Sequence, residues 1–310
     1  MLKLDLISAR GDVLPLINNP LFHISHIDGH TRANTSIASA VVGGIDGDTV
    51  NNIQTTPRTI IIDLKPKSGV NVEEAKREIL KVVKLKQQSG LLWTQNDRSV
   101  IISGIVETVD MPRWTNATVM QITLHCEQPF WEDVDEVIQQ INEAINMHHF
   151  TASPVDMLYF PENGIPLGEY DTIRTKSFYN NGDVAVGLEI RILAHDEVTN
   201  PIIYDQNGNF FGVGYTTESN DIGDGIGSAA YSNPLIMQAG DEVIISTHKG
   251  NKTVKYIGKN KNYNGLIFHK IKPNSTWLQL ATGDNTFSIN SDDTNKANMS
   301  FYLSYKQRYI

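Results

Sequence analysis

Met120-Gln121-Ile122-Thr123-Leu124-His125-Cys126 alternates apolar and polar residues without a break. Side chains on a strand point to opposite faces in turn, so Met120, Ile122, Leu124 and Cys126 share a face and the stretch reads as a half-buried β-strand. This also places the one cysteine of the chain. Cys126 falls on the core face, where a free thiol behaves as a small hydrophobe and not as a nucleophile or metal ligand. A lone cysteine allows no internal disulfide, which fits folding in a reducing cytoplasm.

Working upstream, Val100 to Val109 reads as a second strand, joined to the first by the turn residues Met111-Pro112-Arg113-Trp114-Thr115-Asn116. Before it lies a helix. Asn71 is a good N-cap with Glu74 three residues on, and Val72, Ala75, Ile79, Leu80 and Val83 recur at helical spacing. Lys76, Arg77, Lys81, Lys84 and Lys86 form the opposite, basic face, and Gly90 is the expected stop. That basic face is either solvated or meets an acidic surface of a neighbouring subunit. Thr59 to Leu64 is a β-branched strand, Leu21 to Ile27 a partly apolar run, and Leu2 to Leu16 a hairpin turning at Ala9-Arg10-Gly11-Asp12. Gly29 to Thr56, rich in Gly, Thr, Asn and Asp, reads as a long loop, either plain surface or a partner-binding arm.

Downstream, Val134, Ile138, Ile141 and Ile145 recur at steps of four, three and four. With Asp133 as N-cap and Glu136 as its capping-box partner, the spacing predicts a short amphipathic helix between domains. Thr151 to Thr175 lacks periodicity and reads as a linker. Val184, Val186, Leu188, Ile190 and Ile192 then mark a clean strand, Asn207-Gly208 and Lys249-Gly250 mark hairpins, and short strands continue to Tyr305. The fold class expected is mainly β: an α+β N-terminal domain at 1–150 with antiparallel sheet and one helix, a linker at 151–175, and a β-sandwich or jelly roll at 176–310.

The 310 residues carry a formal charge of −9. Such a surface repels phosphate backbones and anionic lipid, so neither nucleic-acid nor membrane binding is expected. Met1-Leu2-Lys3-Leu4-Asp5-Leu6 alternates like a strand and has no basic region before an apolar block, so it is not a signal peptide. No stretch approaches the ~20 apolar residues of a membrane span.

Candidate chemistry is sparse. His23, His26 and His30 cluster, but His23 and His26 differ in parity and would point apart on a regular strand. His148-His149 sits at the end of the predicted second helix with no nucleophile motif. Asn220, Asp221 and Asp224 do not fit a calcium loop, and the neighbouring acids Asp196-Glu197 and Asp241-Glu242 point to opposite faces of any strand. No catalytic, cofactor or metal residues are assigned. Trp277 and Tyr231 are the aromatics that could stack on a sugar, with core packing the competing reading for Trp277.

Several segments in order resemble one family. Gly43-Gly44-Ile45-Asp46-Gly47 precedes the strand Arg58-Thr59-Ile60-Ile61-Ile62, the capped helix, Gly90-Leu91-Leu92-Trp93 and Leu124-His125-Cys126-Glu127-Gln128-Pro129-Phe130-Trp131. Asn180-Asn181-Gly182-Asp183-Val184, Asn200-Pro201, Asp241 to Thr247, Lys249 to Val254 and Trp277 to Asn285 follow. Together they resemble siphophage distal tail proteins over nearly the whole chain. The resemblance implies a hexameric ring of N-terminal domains, coaxial with the tail tube, with a galectin-like β-sandwich outside it. It also implies a hub at the virion tail tip, made in the host bacterial cytoplasm. Its partners would be the tail tube protein, the tail-associated fibre or lysin and, in many phages, receptor-binding proteins. Gly212 to Asn233 is longer and more polar than the resemblance leads one to expect. A ring needs heterologous edges that close after a fixed rotation, for which the helix and the edge strands of the first domain are candidates. A negative lumen would let DNA pass without sticking. The alternatives are a glycan-binding adhesin acting through the second domain and, further off, a cell-wall hydrolase.

Overall fold

The computed structural model describes residues 2–41, 43–44, 46–110, 119–141, 144–145, 169–170, 175–216, 232–259, 264–292 and 299–310. The turn expected at 111–116, His148-His149, Asn220, Asp221, Asp224, Tyr231 and most of the expected linker lie outside them. The chain divides into two compact units: Met1–Asp135 together with Lys306–Ile310, and Glu136–Tyr305. The architecture is mainly β, with antiparallel sheets and, among the described residues, a single α-helix.

The first unit contains β1 (Leu2–Ser8), β2 (Val13–Pro15), β3 (Phe22–Asp28), β4 (Thr35–Ala40), β5 (Thr49–Thr55), β6 (Arg58–Pro66), α1 (Val72–Val82), β7 (Gln88–Gln95), β8 (Arg98–Asp110), β9 (Met120–Cys126) and β10 (Trp131–Asp133). Its main sheet runs β2-β1-β7-β8-β9-β6-β3, with every pair antiparallel. The period-two reading of β9 is exact: Met120, Ile122, Leu124 and Cys126 are buried and the residues between them are not. They share a core with Leu4, Leu6, Ile60, Ile62, Leu64, Leu91, Ile102 and the helix residues Ala75 and Ile79.

The helix forms where the caps predict, but Leu80, expected in the apolar stripe, is exposed, and there are two further differences. The Asn71 side chain accepts from the Glu73 amide. The helix ends at Val82, with Val83 already extended, so Gly90 does not stop it. Gly90 instead lies inside β7 opposite Ser103, where a Cβ would meet Ile101 Cδ1 at 2.7 Å. Lys76 is not on the solvent face either. Its stem is buried beside Ala75 and Ile79 and its Nζ reaches Glu73 at 3.2 Å, as long amphipathic side chains do when their heads find the surface.

The helix expected from Asp133 is absent, and strands take its place. Glu132 and Asp133 of β10 pair with Ile101 and Val100, and Val137–Gln140 pairs with Tyr302–Tyr305. The apolar spacing was misleading: Val134 is 41% and Ile138 64% exposed while Ile141 is buried, so they make no common face. β10 also pairs with the C-terminal strand Arg308–Tyr309, where Arg308 Nε donates to Glu132 at 2.7 Å.

The second unit is a two-sheet sandwich. A six-stranded sheet includes Glu189–Ala194, Glu242–Ser246, Thr253–Ile257 and Met299–Tyr305. A four-stranded sheet includes Thr175–Asn180, Ile202–Asp205, Phe210–Gly212 and Gly283–Asn290. Ile190, Val243 and Leu303 from one and Phe178, Ile203 and Phe287 from the other fill a single core. The Asn207-Gly208 turn forms as predicted. Asp205 Oδ1 accepts from the Asn207 and Asn209 amides, and Gly208 takes φ +81°.

Candidate functional site

Among the described residues singled out for covalent or metal chemistry, the cysteine and the carboxylates are engaged in structure. Cys126 is buried, and burial pushes its thiol up to about 11. Among the described residues no group of three His, Cys, Asp or Glu could hold a metal ion. His23 and His26 do not point apart as a regular strand would require. A bulge between Ile24 and His26 resets the register, so they lie opposite Lys65 and Asp63, two residues of one face of β6. Both histidines are exposed there. Asp241, which desolvation alone would make harder to ionise, is held below the usual carboxylate range by the Tyr256 hydroxyl and the Lys259 and Gln238 amides. Glu242 makes a two-point pair with Arg191, at 2.9 and 2.6 Å. Glu197 accepts from Gln238 at 3.1 Å, and Asp196 accepts from the Glu197 amide. These carboxylates hold turns and strands; none faces another across a cleft as acid–base pairs do. Trp277 packs half-buried on the sandwich core, its ring 4.8 Å from that of Phe211.

What the first unit does present is unpaired surface. β4 and β5 form a hairpin outside the main sheet, and every residue of both strands is exposed. The base of the hairpin is closed by the Thr56 amide and hydroxyl on the Asn34 carbonyl. Ile37 and Ile53 sit directly opposite one another, 61% and 63% exposed, with Val50 half exposed two pairs along, past a register shift. An isolated two-stranded hairpin is marginal in water, and bare paired isoleucines on it are an association surface. The Gly29–Thr56 segment thus contains a two-stranded hairpin where a long loop, plain or partner-binding, was expected. Its strands carry Thr, Ser, Asn and Ala on both faces, so no hydrophobic period marked them. A turn with Gly44 and Gly47 at positive φ was the available signal.

The sheet edges are the second surface. β2 and β3 end the main sheet. β2 is short and ends in Pro15, whereas β3 runs Phe22–Asp28 and is kinked by its bulge. Short edges, proline and bulges limit indiscriminate strand addition, which leaves the arm as the feature with most to gain from a partner. On α1 Leu80 is exposed and Lys81 pairs with Glu78 at 2.7 Å, and Leu85 is exposed in the turn that follows.

An antiparallel sheet with one crossover helix and an exposed hairpin, followed in the chain by a two-sheet sandwich, is a fold this chain shares with a solved structure. That similar structure is of the SPP1 Dit protein, itself described as a paradigm of the hub adsorption apparatus in Gram-positive infecting phages. It matches with a TM-score of 0.62 over 98% of this chain and 98% of that one, at 10% identity. Chains of the phage P2 baseplate in its activated conformation also match end to end at 12% identity, with TM-scores of 0.47 for the form with Ca and 0.48 for the form with Sr. Those two are too loose to carry an argument. No protein-family model matches the chain, and no curated protein sequence does at a significant level.

Proposed function

We propose that the chain is a structural hub subunit of a phage, or phage-tail-like, tail tip and not an enzyme. Six copies form a ring through their N-terminal domains, 1–150, with the linker at 151–175 and the β-sandwich at 176–310 outside it. The ring joins the tail tube protein to the tail-associated fibre or lysin and to receptor-binding proteins. The observation that carries this reading is the exposed β4–β5 arm, with Ile37 and Ile53 bare on one face, in a chain whose fold matches a hub protein from end to end.

The arm supplies what a closed ring requires. A heterologous contact uses two different patches, one given and one received, and closes when the rotation between copies is fixed. A hairpin reaching onto the next subunit's sheet fixes that rotation. The tests of location and partnership are direct. Gold-labelled antibody to this chain should mark the distal end of tails in particles that carry it, and co-purification should recover the tube protein. Label on the capsid or along the whole tube would overturn the assignment.

A further inference from the structure

A cleft of about 790 Å³ opens in the first unit between the β7–β8 turn, β10 and the C-terminal strand, and four of its ten lining residues carry aromatic rings. The His30 ring stacks on Trp93, centroids 5.8 Å apart and planes 16° from parallel. Trp131 stands edge-on to Trp93 at 6.2 Å and 83°. Arg98 lies 3.8 Å above the ring of Tyr309. Two of the rings are held by hydrogen bonds. Trp131 Nε1 donates to the His30 carbonyl at 3.2 Å, and the Tyr309 hydroxyl donates to Asp133 at 2.9 Å. The rim at the β7–β8 turn presents the exposed side chains of Gln95, Asn96 and Asp97.

We propose that this cleft binds a short neutral oligosaccharide. A pyranose has C–H faces that carry slight positive charge and hydroxyls around its edge. Aromatic ring faces, which are negative at their centres, attract the former. Two amides and a carboxylate at the mouth accept from and donate to the latter. A rigid, largely preformed apolar pocket with a few convergent polar groups is the general form of a small-ligand site. The charge balance argues against an anion. Arg98 is the one cation of the lining, and it is already engaged by Tyr309 and by Asp133 at 4.0 Å, while Asp97 adds a negative charge. The backbone argues against a peptide added as a strand. β7 is paired on both sides by β1 and β8, and β10 by β8 and the C-terminal strand, so neither offers a free edge. Of the two indoles Trp93 is part-exposed and Trp131 is buried behind it, so the wall suits one compact ring, whereas a polyproline helix docks across several exposed aromatic ridges.

The test uses the full-length protein and an array of neutral oligosaccharides that includes triacetylchitotriose, maltotriose and a rhamnose disaccharide. Hits are measured by calorimetry and by tryptophan emission. Saturable binding by at least one member, weakened about tenfold by Gln95→Ala and by Asp97→Ala, supports the site. Both residues are exposed, so thermal unfolding of the variants should not move. Three outcomes overturn it: no saccharide binding at concentrations on the order of 10 mM, binding that ignores both substitutions, or binding only of a proline-rich control peptide. Ring assembly is read separately by mass, so a failed sugar test leaves the hub reading standing, and a failed ring leaves the cleft to be judged by its own binding curve.

Discussion

Replacing Ile37 and Ile53 together by serine removes the apolar face of the arm. Both side chains are about three-fifths exposed in the single subunit, so most of their surface is still available to be buried by a partner. Full burial of an isoleucine is worth about 1.5–3 kcal/mol. The share still to be gained is therefore roughly 1–2 kcal/mol for each residue at each contact, and roughly 2–4 kcal/mol for the pair. That corresponds to a fall in association of roughly 30- to 1,000-fold per contact. The same change at exposed positions should move the stability of the subunit by no more than about 0.5 kcal/mol. Light scattering across a dilution series reads the first quantity and chemical denaturation the second. A double variant that assembles at the wild-type concentration would refute the argument, as would one that loses assembly only because it unfolds.

Asp241 binds two backbone amides and the Tyr256 hydroxyl, and its carboxyl is held below the usual range. Its contribution is therefore present above the unfolded value near ~3.9 and is lost as pH falls through the lower folded value. Asp241→Asn should flatten the acid limb of a stability-versus-pH curve, and an unchanged limb would exclude this role. Asp241→Ala should cost roughly 2–3 kcal/mol by urea denaturation, because a charged acceptor leaves three donors unpaired. Cys126, with its thiol pushed up to about 11 by burial, should resist a disulfide reagent at neutral pH until denaturant is added; prompt labelling of the native protein would contradict its core position. Gly29 takes φ +75°, and a Cβ there would lie 2.0 Å from the Thr59 carbonyl oxygen. Gly29→Ala should cost roughly 2 kcal/mol or more in denaturation midpoint analysis, and a neutral result would mean the chain does not pass β6 so closely.

The strands that the sequence showed most clearly are those with one face in a core. Met120–Cys126 and the run from Leu188 to Ala194 bury alternate residues, so polarity and burial coincide. The helix at Val72–Val82 was visible from its cap and stripe, though the buried stem of Lys76 was not, because a lysine's carbon chain is invisible to a polarity pattern. The misreading of the segment from Asp133 onward has the opposite cause. Val134, Ile138 and Ile141 happen to fall at helical steps, but pairing with Val100, Ile101 and Tyr302–Tyr305 decides the conformation, and those partners are far away in sequence. The β4–β5 strands were legible only as a loop, plain or partner-binding, because neither of their faces is buried within the chain. The aromatic cleft was not legible at all. Its wall draws on residues near positions 30, 93–100, 131 and 309, which only the sheet register brings together.

Amide hydrogen exchange on the full-length chain, free and assembled, bears most directly on how this protein works. Assembly should give a particle of six copies in which Thr35–Ala40 and Thr49–Thr55 pass from fast exchange to strong protection, while the strands of the sandwich core change little. A chain that stays monomeric with its tail partners present, or a ring in which those two strands exchange as freely as before, would contradict the claim that the exposed arm is the working surface.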